Sequence, residues 1–340
     1  MPFILPATRE RSVSTIAFLL SLTITSYHKE IHQQKNRTMK KLFSIMLLVC
    51  AVTLGAQAQL LYKISGNGLK VPSYIIGTYH FADVKFTDSI PGLKKALDET
   101  QQVYGELRMT DMMNPDSLMK IQTAMLMPEG KKFTDLLTAE QTDRLNAFMK
   151  GLMGVDMTNP MVGPQLAPMT PQALITQFQT IMCLKNGGGF DPANGFDDYF
   201  QKQAVAAGKS VFGLETLDFQ ARVLFKSTSL ERQTELLMCL VDNAETYNAI
   251  TTDMIKAFYA QNLDEVQKVI DRKLGTTCDD TKEEQETMIF GRNDNWMKLM
   301  PAIMASKPTF FAVGAAHLTG DRGLLQQLRD AGYSVEGVKE

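Results

Sequence analysis

"SYIIGTYHFAD" fills residues 73–83, and a close counterpart, "TFFAVGAAHLTGD", fills residues 309–321. In each, a β-branched and aromatic run ends in glycine, with histidine three positions later: Gly77 then His80, Gly314 then His317. Runs of this composition read as strands. Glycine at that spacing suits a backbone that turns sharply or passes close to a neighbour. The segments that follow also match in outline: "GLKKALDETQQVYGEL" (92–107) and "GLLQQLRDAGYSVEGV" (323–338). Each has Gly-Leu, a second Leu four residues on, and a short strand-like run. The pattern predicts an α/β fold: a central mixed sheet built from two related strand-GxxH-helix-strand halves, with a large helical insertion between them.

Reading outward, "LLYKIS" (60–65) and "SYIIGT" (73–78) flank "GNGLKVP", whose Gly-Asn-Gly suits a turn between antiparallel strands. Pro91 stands near the start of a helix, and "QVYGELR" (102–108) reads as a strand carrying Glu106. From about residue 109 to 190 the chain becomes Met- and Pro-rich; 12 of its 21 methionines fall between Met109 and Met182. We expect loosely packed helices here, serving as core filler or as a lid or specificity region. Thr138 with Gln141 forms a capping-box pattern. Residues 195–208 read as a helix stopped by Gly208, "KSVFGLET" (209–216) as a strand delivering Glu215, and 217 to about 305 as helical.

In an α/β sheet the chemistry gathers beyond the carboxyl ends of the strands. His80, Glu106, Glu215 and His317 all fall at or just past such ends. Imidazole with carboxylate is a donor set for a divalent ion that leaves positions open for water and substrate. Each residue also has a plainer reading. The histidines could bond the backbone at strand ends, Glu106 could pair with nearby Arg108, and Glu215 could cap the helix beginning near Leu217. Asp83 and Asp321, close after the histidines, serve equally well as their hydrogen-bond partners or as turn formers.

The other two histidines, His28 and His32, precede a basic Met39-Lys40-Lys41, an apolar run and "AQA" at 56–58. That is the layout of a signal peptide over residues 39–58, cleaved after Ala58, with 1–38 as a non-native upstream extension. The mature chain, one domain over 59–340, would be exported to the periplasm or cell surface, with no integral membrane span. Without residues 1–58, 28 Lys and Arg face 35 Asp and Glu, a formal charge of −7. An acidic balance of that size gives no footprint for nucleic acid. Cys183, Cys239 and Cys278 remain, enough for one disulfide in an oxidising compartment, with the pairing open. No GxSxG elbow is present.

"PSYIIGTYHFAD", "VYGELR", "VFGLETLDFQ", "GRNDNW" and "FFAVGAAHLTGDRGLLQQLRDAGYSVEGV" together resemble the TraB/GumN family over residues 60–340. That family is related to the Tiki metalloproteases and, further off, to erythromycin esterases and a haem-binding lipoprotein. The resemblance implies a metalloprotease-like hydrolase acting on a peptide or protein, with manganese or cobalt as the ion and zinc also admitted. It places metal ligands at His80, His317 and Glu106, and catalytic residues at Glu106, Glu215 and Arg292. Arg292 would steady an oxyanion or grip a carboxylate; the plainer reading is a salt bridge. Trp296, the sole tryptophan, reads as core. The competing expectations are a metal- or haem-binding protein without turnover, or an esterase using the same residues.

Overall fold

Strands β1 (Leu61–Gly66), β2 (Ser73–Thr78), β3 (Gln102–Gly105), β4 (Ser210–Gly213), β5 (Thr309–Gly314) and β6 (Tyr333–Gly337) form one mixed sheet in the order β4-β3-β5-β2-β1-β6. The computed structural model describes residues 59–189, 191 and 194–339. The leader expected at 39–58 and the extension 1–38 lie outside the described residues. β2 runs parallel to β5, β5 to β3 and β3 to β4, while β1 is antiparallel to both β2 and β6.

The central pair explains the apolar runs of the two quoted stretches. All six residues of β2, and the first five of β5, are buried. Parallel strands covered on both faces read as continuous rather than alternating apolar runs. The edge strand β6 alternates buried and exposed residues, as a strand with one wet face does. One expectation needs correction. The sheet does not come from the two chain ends alone, because β4, from the middle, pairs with β3 along one edge. The β3 strand also stops at Gly105, so Glu106, Leu107 and Arg108 lie beyond it rather than within it.

Thirteen α-helices are described. α1 (Leu93–Glu99) joins β2 to β3. The middle of the chain supplies α2 (Pro115–Ala124), α3 (Ala139–Met153), α4 (Gly163–Leu166), α5 (Pro171–Lys185) and α6 (Phe196–Ala206) before β4. Then come α7 (Leu217–Lys226), α8 (Leu230–Asp242), α9 (Ala244–Tyr259), α10 (Leu263–Ile270), α11 (Lys282–Gln285) and α12 (Gly291–Ser306), with a π-turn at Glu286–Phe290. α13 (Leu324–Asp330) joins β5 to β6. The local signals hold. Thr138 and Gln141 exchange both capping-box bonds, and Gly208 sits in the left-handed region just after α6.

Two apolar cores result. One surrounds the sheet, with Phe196, Phe200, Phe258 and Trp296 packed among residues of β1, β2 and β5. The other lies among the helices, where Met127, Met149, Met169 and Met182 join Phe133, Phe178 and Leu237. Much of the Met-rich segment is therefore filler for the second core. Each large side chain so buried contributes roughly 1.5–3 kcal/mol. A Cys239–Cys278 disulfide ties α8 to the loop before α11, and Cys183 is a free, buried thiol.

Candidate functional site

Register brings the strand ends together. Thr78 of β2 lies opposite Gly314 of β5, and Gly105 of β3 lies opposite both Ala312 of β5 and Gly213 of β4. With neighbouring strands ~4.8 Å apart, the residues just past these ends share one edge of the sheet. His80 is two residues past β2, Glu106 one past β3, Glu215 two past β4 and His317 three past β5. His80, Glu106, Arg292 and His317 line a single cavity of about 300 Å³. The 237 positions between the two histidines are bridged by the pairing of β2 with β5.

The glycines before the histidines have separate jobs. A Cβ on Gly77 would come within 3.0 Å of Leu318 Cδ1 and 3.1 Å of Ala315 Cα, so glycine lets the turn carrying His317 lie against β2. Gly314 donates its backbone N–H to Glu106 Oε1 at 2.8 Å, and a Cβ there would stand 3.1 Å from that same oxygen. Close approach, rather than a positive φ, selects glycine at both positions.

His317 is buried and its tautomer is set. Asn293 Nδ2 donates to the carbonyls of His317 and Arg322, which leaves Asn293 Oδ1 to accept from His317 Nδ1–H at 2.7 Å. The bare Nε2 then accepts from Arg292 Nη1 at 3.0 Å. Trp296 lies against the imidazole, ring centroids 4.5 Å apart. Burial, aided by the charges of Arg292 and His80 and opposed by Glu106, pushes its pKa down to about 4, so it is neutral at pH 7.

Arg292 enters from the first turn of α12, next to the π-turn, a kind of helix irregularity often found at functional sites. Its guanidinium bonds Glu106 Oε2 at 2.6 Å and Glu215 Oε1 at 2.7 Å, with Nε 3.1 Å from Glu215 Oε2. Gln220 donates to both carboxylates, and Trp296 Nε1 donates to Glu215. Burial alone would raise the Glu106 carboxyl, but His317, Arg292, His80 and the Gly314 N–H outweigh it and bring it to about 2. For Glu215 burial wins over Arg292 and the pKa rises.

His80 differs. Its side chain is 65% exposed and its Nδ1 lies 2.5 Å from Asp197 Oδ2. The Asp197 charge raises its pKa, in a setting where water screens part of the effect. Thr78 donates to the other Asp197 oxygen.

Several plainer readings are settled by these contacts. Glu106 does not pair with Arg108, which holds Asp111 instead. Glu215 does not cap α7, since Thr216 does so; nor does it touch either histidine, its carboxylate being spent on Arg292, Gln220 and Trp296. Asp83 is a turn former, capping the turn at Val84–Ser89, and Asp321 is exposed. Trp296 is core and also touches the site. Sequence reasoning missed Asp197, Asn293 and Gln220. Asn293 alone had a signal, its place beside Arg292 in "GRNDNW".

A family model described as TraB/PrgY/gumN family matches residues 60–337. The chain belongs to that family. Among curated relatives of this TraB/PrgY/gumN member, Metalloprotease TIKI1 of Danio rerio is 24% identical, with 78% of this chain and 60% of the relative covered. Metalloprotease TIKI homolog of Nematostella vectensis is 25% identical over 79% and 65%, and Metalloprotease TIKI1 of Homo sapiens 23% over 78% and 59%. The chain thus spans about three-fifths of the length of these relatives. No solved structure matches it.

The metalloprotease names raise the question of whether this family member's residues suit an ion. In kind they do. Both histidines are tied at Nδ1 by a side-chain oxygen, Asp197 or Asn293, which is how ligand imidazoles are oriented with Nε2 toward a metal. Glu106 adds an ionised carboxylate beside them. As the side chains stand, however, the described residues contain no cluster of three or more His, Cys, Asp or Glu able to hold an ion. The Arg292 guanidinium takes up the His317 lone pair and one oxygen of Glu106.

Proposed function

We propose that the chain is an exported, metal-dependent hydrolase, most simply a peptidase. The observation that carries this reading is the convergence of His80, Glu106 and His317, from three adjacent strand ends, on one cavity. The metalloprotease names of the relatives supply the reaction class. The Cys239–Cys278 disulfide suits the oxidising compartment that the leader at 39–58 would address. We also read β2–α1–β3 and β5–α13–β6 as two related, interleaved halves, each passing from a GxxH strand through a helix to a parallel strand.

His80, His317 and Glu106 would hold the ion, manganese or cobalt by family resemblance, with zinc equally suited by donor type. When bound, it supplies a water of lowered pKa and polarises a carbonyl. Asp197 and Asn293 keep the rings aimed. Glu106, whose carboxyl stays ionised beside His317 and Arg292 although burial opposes it, would serve as an anionic ligand. Glu215 holds Arg292, whose five N–H groups are all engaged, by Glu106, Glu215, His317 and the Met288 carbonyl. Arg292 would meet a carbonyl oxygen or a substrate carboxylate only by releasing one of them.

Metal analysis and peptide hydrolysis on the purified secreted chain, beside His80→Ala and His317→Ala, test this reading. We expect about one ion per chain and chelator-sensitive cleavage in the wild type, with both lost in the variants. Equal metal in all three proteins would remove the reading. One contact favours a second reading. Arg292 already bridges His317 and Glu106, and the same residues then form an ester-hydrolysing centre with Arg292 as its cation. Ester hydrolysis that survives complete chelation would decide for it.

A further inference from the structure

Two cavities meet at the candidate centre. The one of about 300 Å³ has His80, Glu106, Arg292 and His317 on its wall, together with Leu224 of α7, Met254 of α9, Ile270 of α10 and Met288 and Ile289 of the π-turn. Leu224, Met254, Met288 and Ile289 are only partly buried, and Ile270 is 37% exposed. Apolar side chains from four separate segments thus keep accessible surface around a hollow that ends at the titratable cluster. The second cavity, about 370 Å³, shares His80, Glu106 and Gln220 with the first, and its further walls mix Asp197, Asp198 and Gln201 with Leu107, Met109 and Met112. The centre therefore stands between this chamber and a second one in which acidic and apolar side chains alternate in the wall.

We infer that this site selects a polypeptide with a large apolar side chain, leucine- or phenylalanine-like, seated in the chamber walled by Leu224, Met254 and Ile289, beside the bond presented to His80 and His317. The reaction part of this statement rests on the hydrolase reading; the binding part does not. Seating such a side chain covers apolar surface the fold leaves open, and the flexible thioethers of Met254 and Met288 can adapt to its shape. A carboxamide or carboxylate seated against Leu224, Met254 and Ile289 faces apolar side chains in place of donors and loses its water. Discrimination by a pocket of this type is roughly 10- to 100-fold.

Trp296 gives a readout that does not depend on turnover. It is the only tryptophan in the chain, and its ring lies 4.5 Å from His317. Blocked alanine-based pentapeptides with a central Leu, Phe, Asn or Glu would be titrated against the purified secreted chain, following tryptophan fluorescence, and then assayed for cleavage. We expect the Leu and Phe peptides to bind at least about 10-fold more tightly than the Asn and Glu peptides. Leu224→Asn, which makes the wall polar, and Met254→Phe, which fills the hollow, should each abolish that difference. Circular dichroism confirms that each variant folds, and either one suffices. Equal affinities, no binding by any peptide, or a preference that survives the variants would overturn the inference. Apolar preference in binding without cleavage would uphold the inference and count against the hydrolase reading. Cleavage of all four peptides at equal kcat/KM would do the reverse.

Discussion

Arg292 Nη1 lies 3.0 Å from His317 Nε2, so one guanidinium meets the lone pair that a cation would otherwise take. The same group bonds Glu106 and Glu215, and all three side chains are almost wholly buried. Arg292 is thus the countercharge of two desolvated carboxylates. Removing one partner of a buried ion pair leaves uncompensated charge and typically costs about 3–5 kcal/mol. Arg292→Ala should lower the urea-unfolding free energy by about that amount. Arg292→Lys should recover only part of it, since a single ammonium cannot reproduce the fork. A loss under ~1 kcal/mol for the alanine variant would mean that the carboxylates are solvated and do not depend on Arg292 for their countercharge.

The strand ends were legible in the sequence because their signals are local. Gly77 and His80, or Gly314 and His317, sit within four residues, and the apolar runs before them specify buried strands. The partners that orient the histidines were not legible. Nothing in "GFDDYF" distinguishes Asp197, which holds His80, from Asp198, which pairs with Lys202 one turn along α6. That choice is made by the packing of α6 beside β3, which sets Asp197 against a histidine 117 positions earlier. β4 was readable as a strand, but not as the edge partner of β3. Four residues carry no record of which neighbour they pair with.

Stability of the metal-free protein should fall with acid through His317. Its folded pKa is about 4, against 6.5 for a free imidazole, because burial disfavours the charged form. Between those values the unfolded chain binds a proton that the folded chain refuses, so the unfolding free energy rises with pH. The contribution is fully present above pH 6.5 and is lost progressively toward pH 4, to a total of about 3 kcal/mol. In chelator-treated protein, urea titrations at pH 7.5, 6 and 5 should show this decline, and His317→Gln should flatten it by a similar amount. An unchanged pH slope in the variant would show that His317 is not held neutral.

The thiols should report the disulfide. Cys239 and Cys278 enclose a sequence separation of 39, and the chain-entropy relation gives about 4 kcal/mol for a loop of that size. Changing both to serine should lower the unfolding free energy by about that much. Cys183 is buried and its thiol pKa is raised, so it should resist alkylation until the chain unfolds. A thiol titration of native protein comprising residues 59–340 should therefore count none, and a titration in denaturant should count one. Three thiols under non-reducing denaturing conditions would show that the pair is not formed.

Asp197 offers the sharpest separation of orienting from ligating residues. It lies against His80 Nδ1 and also accepts from Thr78, so its carboxylate is fixed by β2 while it fixes the imidazole just beyond that strand. Asp197→Asn keeps an oxygen acceptor but removes the charge, which lowers the basicity of His80 while leaving a route to the same ring orientation. Changes to such orienting partners cost about 10- to 100-fold in metal affinity or activity. We expect Asp197→Asn to fall toward the mild end and Asp197→Ala toward the severe end, with both remaining folded by circular dichroism. On the proposed metal reading His80→Ala deletes the donor itself and should be worse than either. Metal titration across the three variants orders them. If Asp197→Ala bound metal as tightly as wild type while His80→Ala did not, His80 would not need the carboxylate to present its Nε2, and the helix α6 contact would be structural alone.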